Sequence, residues 1–267
     1  MVERRLLVYP DPVTLAEAVA ARTLLVIADT FAAPGHSRFD MAVTGGTDGN
    51  RVLAAIGRSP LAQAVDWSRV HFWWGDERFV PAGDADRNAG QARRELLDAL
   101  VADGRLPEAN IHEMPADPRP AAAIAAASPE ETDRMLADAA EAYRLELTDQ
   151  LGERPRLDLA QFGMGPDAHY ASLFPGLPQI GIGDPHVLVA GVRDSPKPPP
   201  LRLTLTAPMI AASCRTWVFT SGLRKADAVA RALAAPCDPG APVSCADAED
   251  ELLWMVDTEA ASRLDRD

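Results

Sequence analysis

The chain has 267 residues, of which 47% are hydrophobic and 24% charged, a composition typical of a folded globular protein rather than a disordered one. Its formal net charge of -13 opposes non-specific binding to nucleic acid or to an anionic membrane, because long-range repulsion slows the approach to any polyanion. No apolar run approaches the roughly 20 residues of a membrane span, and no signal peptide is recognised. We therefore expect a cytoplasmic protein, a monomer or small homo-oligomer, with a single domain over residues 1–267.

Short apolar runs alternate with longer segments of helical periodicity, as in a parallel sheet covered by helices. Strands are predicted at residues 39–44, 70–74, 157–162, 187–192, 217–220 and 252–256. Helices are predicted at residues 14–33, 136–151 and 223–235, where apolar residues recur at three- and four-residue steps. Residues 115–127 are predicted to form a surface loop or a frayed linker, with a domain boundary as the less favoured alternative. Residues 194–200 are predicted to form a stiff segment, because each proline fixes its own φ. The predicted fold class is α/β: an open, mostly parallel, Rossmann-like sheet with helices on both faces.

Polar and glycine-rich segments follow the predicted strands, where ligands of open parallel sheets bind. Residues 44–49 form a glycine-rich loop whose amides and following helix suit a phosphate, although a tight turn without a ligand fits this loop equally well. The next strand is followed by Asp76, Glu77 and Arg78, which can orient sugar hydroxyls and counter negative charge. An exposed, salt-bridged turn is the alternative there.

The loop at residues 163–176 combines Asp167 and His169 with several glycines and prolines. A neutral imidazole is available near pH 7 to take a proton from water, because its unperturbed pKa is about 6.5. Asp167 can fix the histidine tautomer or hold the substrate. Ser172 lacks the GxSxG context of an exposed nucleophile, so we do not expect it to act as one. The remaining histidines are predicted to be surface or structural residues: His36, His71, His112 and His186.

Two cations follow later in the chain and are candidates for an anion site. Arg202 comes after the proline segment, and Lys225 comes after the strand predicted at 217–220. The fork of arginine and the point charge of lysine both suit a phosphate, although either side chain could equally be solvated surface.

The three cysteines lack the spacing of a metal site. Cys214, Cys237 and Cys245 form no CxxC pair and have no histidine at ligand spacing. We therefore expect buried or incidental thiols, and no bound metal.

Taken in chain order, these segments resemble the 6-phosphogluconolactonase family, part of a wider group of sugar-phosphate enzymes that includes glucosamine-6-phosphate deaminase. The matching segments are residues 44–46, 71–81, 86–88, 163–176, 194–199, 202–206 and 221–225. The resemblance implies hydrolysis of 6-phospho-D-glucono-1,5-lactone to 6-phosphogluconate, the second step of the oxidative pentose phosphate pathway. It implies a small phosphorylated sugar lactone as the partner and no cofactor.

The resemblance also assigns roles to residues by position. His169 is the implied base that activates water, with Asp167 and Asp76 beside it as catalytic residues that orient sugar and water. The implied substrate-binding residues, whose amides and cations hold the phosphate or whose side chains meet the sugar, are Thr44, Gly45, Gly46, Thr47, Glu77, Arg78, Arg202 and Lys225.

The chain departs from the family pattern at three places. Ala168 stands where the family usually has glycine, so a positive φ there would introduce strain. Asp48 places an acid in the presumed phosphate loop, where it repels phosphate unless it points away or caps the helix. Residues 237–251 match the family poorly.

Three other functions remain open. An amino-sugar-phosphate deaminase or isomerase is disfavoured because that family tends to follow its histidine with Asn-Glu-Pro, whereas this chain has Ser172 and Leu173 before Phe174 and Pro175. A weakly active or non-catalytic sugar-phosphate binder, or a subunit that modulates a neighbouring dehydrogenase, is supported only by Ala168 and Asp48. A dinucleotide-dependent dehydrogenase lacks its GxGxxG motif.

Overall fold

Strands and helices alternate through residues 2–234 and 236–264, the part of the chain that this computed structural model describes. The strands are β1 (Arg4–Tyr9), β2 (Phe39–Val43), β3 (Val70–Trp74), β4 (Asp76–Arg78), β5 (Leu159–Gly163), β6 (Val189–Val192), β7 (Arg202–Leu205), β8 (Arg215–Thr220) and β9 (Glu251–Asp257). The helices are α1 (Pro12–Ala32), α2 (Gly46–Arg58), α3 (Asn88–Ala92), α4 (Asp98–Ala102), α5 (Ala121–Ala126), α6 (Pro129–Leu151), α7 (Ala207–Ala211) and α8 (Ala226–Ala234). A π-helical turn, Arg93–Leu97, joins α3 to α4.

The larger sheet has six parallel strands in the order β1-β9-β8-β5-β2-β3. Its interior strands are apolar and buried along most of their length, as expected for a sheet with helices packed around it. From β2 the chain moves outward to β3 and then returns to β5 on the other side of β2. The strand order therefore reverses between β2 and β5, which is the position where open parallel sheets bind ligands. The predicted α/β class is confirmed.

Local signals start and stop the long helices. The Asp11 side chain accepts hydrogen bonds of 2.8 Å from the amides of Val13 and Thr14, which caps the first turn of α1. Ser128 caps α6 in the same way, and α6 ends at Gly152, whose φ of 86° is easily adopted only by glycine.

A second, antiparallel sheet of three short strands, in the order β4-β7-β6, adjoins the carboxyl end of β3. Gly75 joins the two sheets, because its amide donates to Val43 (3.2 Å) and its carbonyl accepts from Leu205 (2.9 Å). A Cβ at this position would lie 2.4 Å from the ring of Phe162, so glycine is required. This close approach carries Asp76 from the end of β3 onto the smaller sheet.

All five tryptophans are buried in the core, each no more than 1% exposed, at positions 67, 73, 74, 217 and 254. Tyr143 on α6 ties this core together, since its hydroxyl donates to the His112 carbonyl (3.2 Å) and accepts from the Trp74 amide (3.0 Å). Large aromatic side chains bury more apolar surface than any others, so the floor beneath the loops is rigidly packed.

The structure corrects four predictions about secondary structure. Residues 187–192 were predicted as a strand of the parallel sheet, but β6 belongs to the antiparallel sheet and pairs with β7. Residues 76–78 form β4 rather than a turn. The predicted loop at 115–127 contains the exposed helix α5. The helix predicted at 223–235 begins as a 3₁₀ turn (Leu223–Lys225) before α8, and residue 235 lies outside the described residues.

The prediction of three thiols is also wrong, because Cys237 and Cys245 form a disulfide. The 3₁₀ helix Pro242–Cys245 and a backbone bridge between Asp238 and Ala241 turn the chain back on itself and bring the two sulfurs together. The closed loop also reaches the 163–176 loop, since the Val243 amide donates to the carbonyl of Ala168 (2.9 Å). Cys214 remains a half-buried thiol.

Candidate active site

A cavity of about 690 Å³ lies over the carboxyl ends of the parallel strands. It is lined by loops that follow β2, β5, β8 and β9, together with β4 and the proline segment before β7. Most of the predicted site residues line it: Thr44, Gly45, Gly46, Thr47, Asp76, Arg78, His169, Arg202 and Lys225. Loops that are far apart in sequence therefore meet at one cavity.

His169 is held at the cavity by Asp167, whose Oδ1 lies 2.6 Å from the imidazole Nδ1. The ring also packs on Phe174, with 4.5 Å between the ring centroids. Burial lowers the pKa of His169, and Asp167 offsets this only in part. The carboxylate only accepts hydrogen bonds, so Nδ1 carries the proton of the neutral ring and Nε2 keeps its lone pair. This arrangement suits a base.

Lys197 completes the group around Asp167. Its Nζ lies 2.9 Å from Asp167 Oδ1 and 3.1 Å from His169 Nδ1. Burial by itself would raise the pKa of Asp167, but the hydrogen bonds and charges of His169 and Lys197 outweigh burial and hold that pKa well below its usual range. Asp167 is therefore a carboxylate that two donors share.

The backbone of the same loop positions Asp167 and His169, because it turns tightly and passes close to both side chains at Gly165. The Gly165 amide donates to the His169 carbonyl (2.9 Å), and the Ala168 amide donates to the Gly165 carbonyl (3.0 Å). A Cβ on Gly165 would lie 2.0 Å from His169 Nδ1. Ala168 has a φ of 59°, so this position adopts the left-handed conformation, which introduces strain for any residue other than glycine.

Asp76 lies at the edge of the cavity and is 7% exposed. Its Oδ2 accepts a hydrogen bond of 2.7 Å from the hydroxyl of Ser172, which is fully buried. Ser172 thus positions Asp76 and has no access to a substrate, in agreement with the prediction that it is not a nucleophile. The side chain of Asn88 lies alongside, donating to the Asp76 carbonyl (2.9 Å).

Glu77 does not lie where the sequence predicted it, at the cavity in contact with the sugar. It is fully buried and does not line the cavity. Its carboxylate accepts hydrogen bonds of 2.7 to 2.8 Å from the amides of Arg78, Asn88 and Ala89, with Arg87 at 3.8 Å. Glu77 therefore anchors the start of α3, because a carboxylate at a helix N-terminus satisfies free amides.

The glycine loop and the loop after β8 both line the cavity and contact each other through Asp48. Gly45 caps α2, so the first amides of that helix lie at the cavity. Asp48 accepts hydrogen bonds from the Ser221 amide (3.0 Å) and hydroxyl (2.7 Å), and it pairs with Arg51 at 3.2 Å. The acid that stood out in the sequence therefore links two loops and has its charge countered.

Lys225 lies on the second of these loops and donates to the carbonyl of Met164. Burial lowers the pKa of Lys225, with the nearby Lys197 acting in the same direction. The chain has only two lysines, at positions 197 and 225, and both line the cavity.

The two predicted arginines are partly engaged by backbone carbonyls. Arg202 donates to the carbonyls of Pro199 (2.7 Å), Lys197 (3.1 Å) and Pro198 (3.1 Å), so it holds the proline segment against the cavity. Arg78 donates to the carbonyl of Asp86. Both side chains contribute positive charge to the cavity wall, and Arg202 also has a structural role that the sequence did not indicate.

The other histidines lie away from the cavity. His71 and His112 stack and approach at 3.0 Å, and His112 pairs with Glu146 at 2.8 Å. His36 and His186 are exposed. These positions agree with the predicted structural or surface roles.

Sequence reasoning missed several residues that line the cavity: Lys197, Asn88, Ser221 and Arg224. Lys197 carried a usable signal, because it is one of two lysines and stands between prolines next to Arg202. Asn88 and Ser221 lie within segments that matched the family, but their residue types are common in surface loops.

Comparisons with known proteins identify the relatives of this chain. The family model described as glucosamine-6-phosphate isomerases/6-phosphogluconolactonase matches residues 10–254. A 6-phosphogluconolactonase of Streptomyces coelicolor is 40% identical over 266 residues, which covers 98% of this chain and 95% of the relative. That of Mycobacterium tuberculosis is 37% identical over 260 residues, covering 96% and 97%.

Solved structures show the same fold. The 6-phosphogluconolactonase of Trypanosoma brucei has a TM-score of 0.78 at 23% identity, covering 99% of this chain and 100% of that one. A monomeric glucosamine-6-phosphate deaminase has a TM-score of 0.72 at 16% identity, covering 97% and 99%. Within the described residues, no helix is both long and apolar enough to cross a membrane.

Proposed function

The chain belongs to the family of glucosamine-6-phosphate isomerases and 6-phosphogluconolactonases, and we propose that it hydrolyses 6-phospho-D-glucono-1,5-lactone with His169 as the general base. The product is 6-phosphogluconate, and the reaction is the second step of the oxidative pentose phosphate pathway. We also propose that the protein works in the cytoplasm and needs no metal or cofactor.

One observation carries this proposal. His169 is partly buried, paired with Asp167 at 2.6 Å, and lines the same cavity as the glycine loop and Lys225. A sugar lactone with a phosphate at the far end of its carbon chain needs this combination: a neutral base at one end and cations with free amides at the other. Identities of 40% and 37% to named lactonases over nearly the whole chain support the same substrate.

In the proposed reaction, Nε2 of His169 removes a proton from water as the oxygen attacks the lactone carbonyl. The C–O bond to the ring oxygen then breaks, and the imidazolium returns the proton to that oxygen. Asp167 orients the ring and stabilises its transient positive charge. A lactone is an activated ester, so general base catalysis worth about 10² to 10⁴-fold, together with positioning, suffices.

The phosphate is proposed to bind between α2 and the loop after β8. The amides of Gly46 and Thr47 begin α2, where free N–H groups and the helix dipole favour an anion. Lys225 and Arg224 add charge from the other loop, which Asp48 joins to the first through Ser221. Asp76, which also lines the cavity, is proposed to accept a hydrogen bond from a sugar hydroxyl.

The test is a lactonase assay corrected for spontaneous hydrolysis, with wild type and His169→Ala. We expect His169→Ala to lose at least about 100-fold in kcat, because it removes the base. His186→Ala is the matched control, since that histidine is exposed and outside the cavity. Equal rates for His169→Ala and wild type would contradict the proposal.

The deaminase alternative is not favoured. Its family tends to place a glutamate after the histidine, whereas this chain has the buried Ser172 and Leu173 in that segment. The resemblance to the solved deaminase is one of fold alone at 16% identity. Ammonia release from glucosamine 6-phosphate at a rate comparable to lactone hydrolysis would reverse this choice.

A further inference from the structure

One carboxylate oxygen beside the cavity, Asp167 Oδ1, is in hydrogen-bond contact with both an imidazole and an ammonium group. Asp167 Oδ1 lies 2.6 Å from His169 Nδ1 and 2.9 Å from Lys197 Nζ. The two nitrogens are themselves 3.1 Å apart. Both nitrogens carry protons when Asp167 accepts from each, so they are two donors that share one acceptor.

The backbone of Lys197 is fixed, so this contact does not depend on a loose loop. The Ser195 hydroxyl donates to the Lys197 carbonyl (3.0 Å) and accepts from the Lys197 amide (3.2 Å). Arg202, which is 4% exposed, also donates to that carbonyl. These hydrogen bonds hold the backbone that carries the Lys197 side chain in place beside Asp167.

The charges that face His169 come from three segments. Asp167 on the same loop and Asp76 on β4 favour the protonated imidazole. Burial and Lys197, on the segment before β7, oppose it. The second lysine, Lys225, faces Lys197 from the loop after β8 and has Asp48 and Asp167 near it as counter-charges.

A carboxylate that binds only an imidazole draws a proton onto the ring. An aspartate within hydrogen-bond distance raises the pKa of a histidine, since the ion pair is favoured over the neutral ring. A base must be unprotonated in the free enzyme. If Asp167 bound His169 alone, it would orient the ring but would also raise the pKa of His169, so less of the neutral imidazole would be present. A second cation on the same oxygen removes this conflict.

We propose that Lys197 is a positioning residue that shares the Asp167 carboxylate with His169, so that the imidazole stays oriented but uncharged and its Nε2 remains free to accept a proton. This role rests on the proposed function, because it concerns the same base. Lys197 supplies the counter-charge that Asp167 requires, and His169 supplies the catalytic lone pair.

The experiment measures the protonation of His169 directly, by NMR titration of histidine ring signals in the full-length protein. The signal is assigned by its absence in His169→Asn. We expect a midpoint below the ordinary value of about 6.5 in wild type, because burial and Lys197 both lower the pKa of His169. In Lys197→Met the midpoint should rise by on the order of one pH unit, because a like charge has been removed.

Two further variants separate the effect of the positive charge at position 197 from the effect of side-chain shape. Lys197→Arg keeps the positive charge and should keep the wild-type midpoint, whereas Lys197→Gln should behave like Lys197→Met even if the methionine variant folds poorly. Lys225→Met is the control for loss of a more distant lysine and should move the His169 midpoint much less. Thermal unfolding confirms that each variant is folded.

The acid limb of kcat/KM provides the second readout, since it reports the free enzyme. It should move to higher pH in Lys197→Met in step with the NMR midpoint and stay in place in Lys197→Arg. Unchanged midpoints in Lys197→Met and Lys197→Gln would overturn the proposal, even if activity falls or KM rises. Absence of lactonase activity in wild type would instead refute the proposed function, and the NMR titration would still test the sharing of Asp167.

Discussion

Replacing Gly165 with alanine is expected to reduce kcat/KM for the lactone about 100-fold. A Cβ at this position would lie 2.0 Å from His169 Nδ1, 2.1 Å from its Cε1 and 2.3 Å from Asp167 Oδ1. Non-bonded carbon contacts begin near about 3.5 Å, so the imidazole must move by at least about 1 Å. A displacement of about 1 Å at a catalytic group can reduce the rate about 100-fold. This corresponds to about 2.7 kcal/mol of lost transition-state stabilisation, because each tenfold change is about 1.36 kcal/mol.

The assay compares initial rates of lactone loss, above the spontaneous background, for wild type, Gly165→Ala and Gly183→Ala. The last is the matched control, because a Cβ on Gly183 has no atom within 4 Å. Neither glycine has a positive φ, so alanine adopts both backbones and only the space around the methyl group differs. Urea unfolding should show a loss of about 1 to 3 kcal/mol for Gly165→Ala, which is typical of overpacking.

A Gly165→Ala protein with kcat/KM within threefold of wild type would refute this reasoning, since the packing behind the imidazole would then not set its position. Loss of the folded state in urea at far lower concentration would point instead to general destabilisation. A similar loss of activity in Gly183→Ala would also count against the argument, because that change creates no overlap.

Substitutions at two other positions test departures from the family pattern. Ala168→Gly should change the free energy of unfolding by less than about 1 kcal/mol, because relief of strain at positive φ is offset by a more flexible unfolded chain and a lost buried methyl group. Ala168→Val should lower the free energy of unfolding by about 2 kcal/mol or more, as measured by urea unfolding. Equal stability of Ala168→Gly and Ala168→Val would contradict this expectation. Asp48→Asn should raise KM by up to about tenfold, because the Ser221 amide and hydroxyl lose a charged acceptor that joins the two loops proposed to bind phosphate. A fall in KM in steady-state kinetics would mean that repulsion of the phosphate dominates.

The parallel sheet could be predicted from sequence because its strands are short apolar runs, and burial on both faces requires that pattern. β1 was missed because it is an edge strand that begins with Arg4 and Arg5 and is exposed along half of its length. The smaller sheet was missed for a different reason. β4 consists of Asp76, Glu77 and Arg78, and it becomes a strand only through pairing with β7, more than 120 residues later. Such pairing leaves no periodicity in a three-residue segment.

The candidate site was predictable where a residue type is rare in its context, as with His169 among glycines. The prediction failed where the role of a side chain depends on which residues it contacts in the folded protein. Glu77 and Asp76 are adjacent acids, yet alternation along β4 directs one into buried amides and the other to the cavity wall. The partner of Asp48 is Ser221, 173 positions away, and no local pattern could have indicated that contact.

The placement of both lysines at the cavity gives the molecule an unusual chemical surface. Every other basic side chain is arginine or histidine, so its outer face offers amine-selective reagents no lysine side chain. Aldehydes or activated esters that modify a lysine of this protein therefore modify a residue of the cavity wall. Attachment of the protein to a support through lysine would thus place the linkage at the cavity.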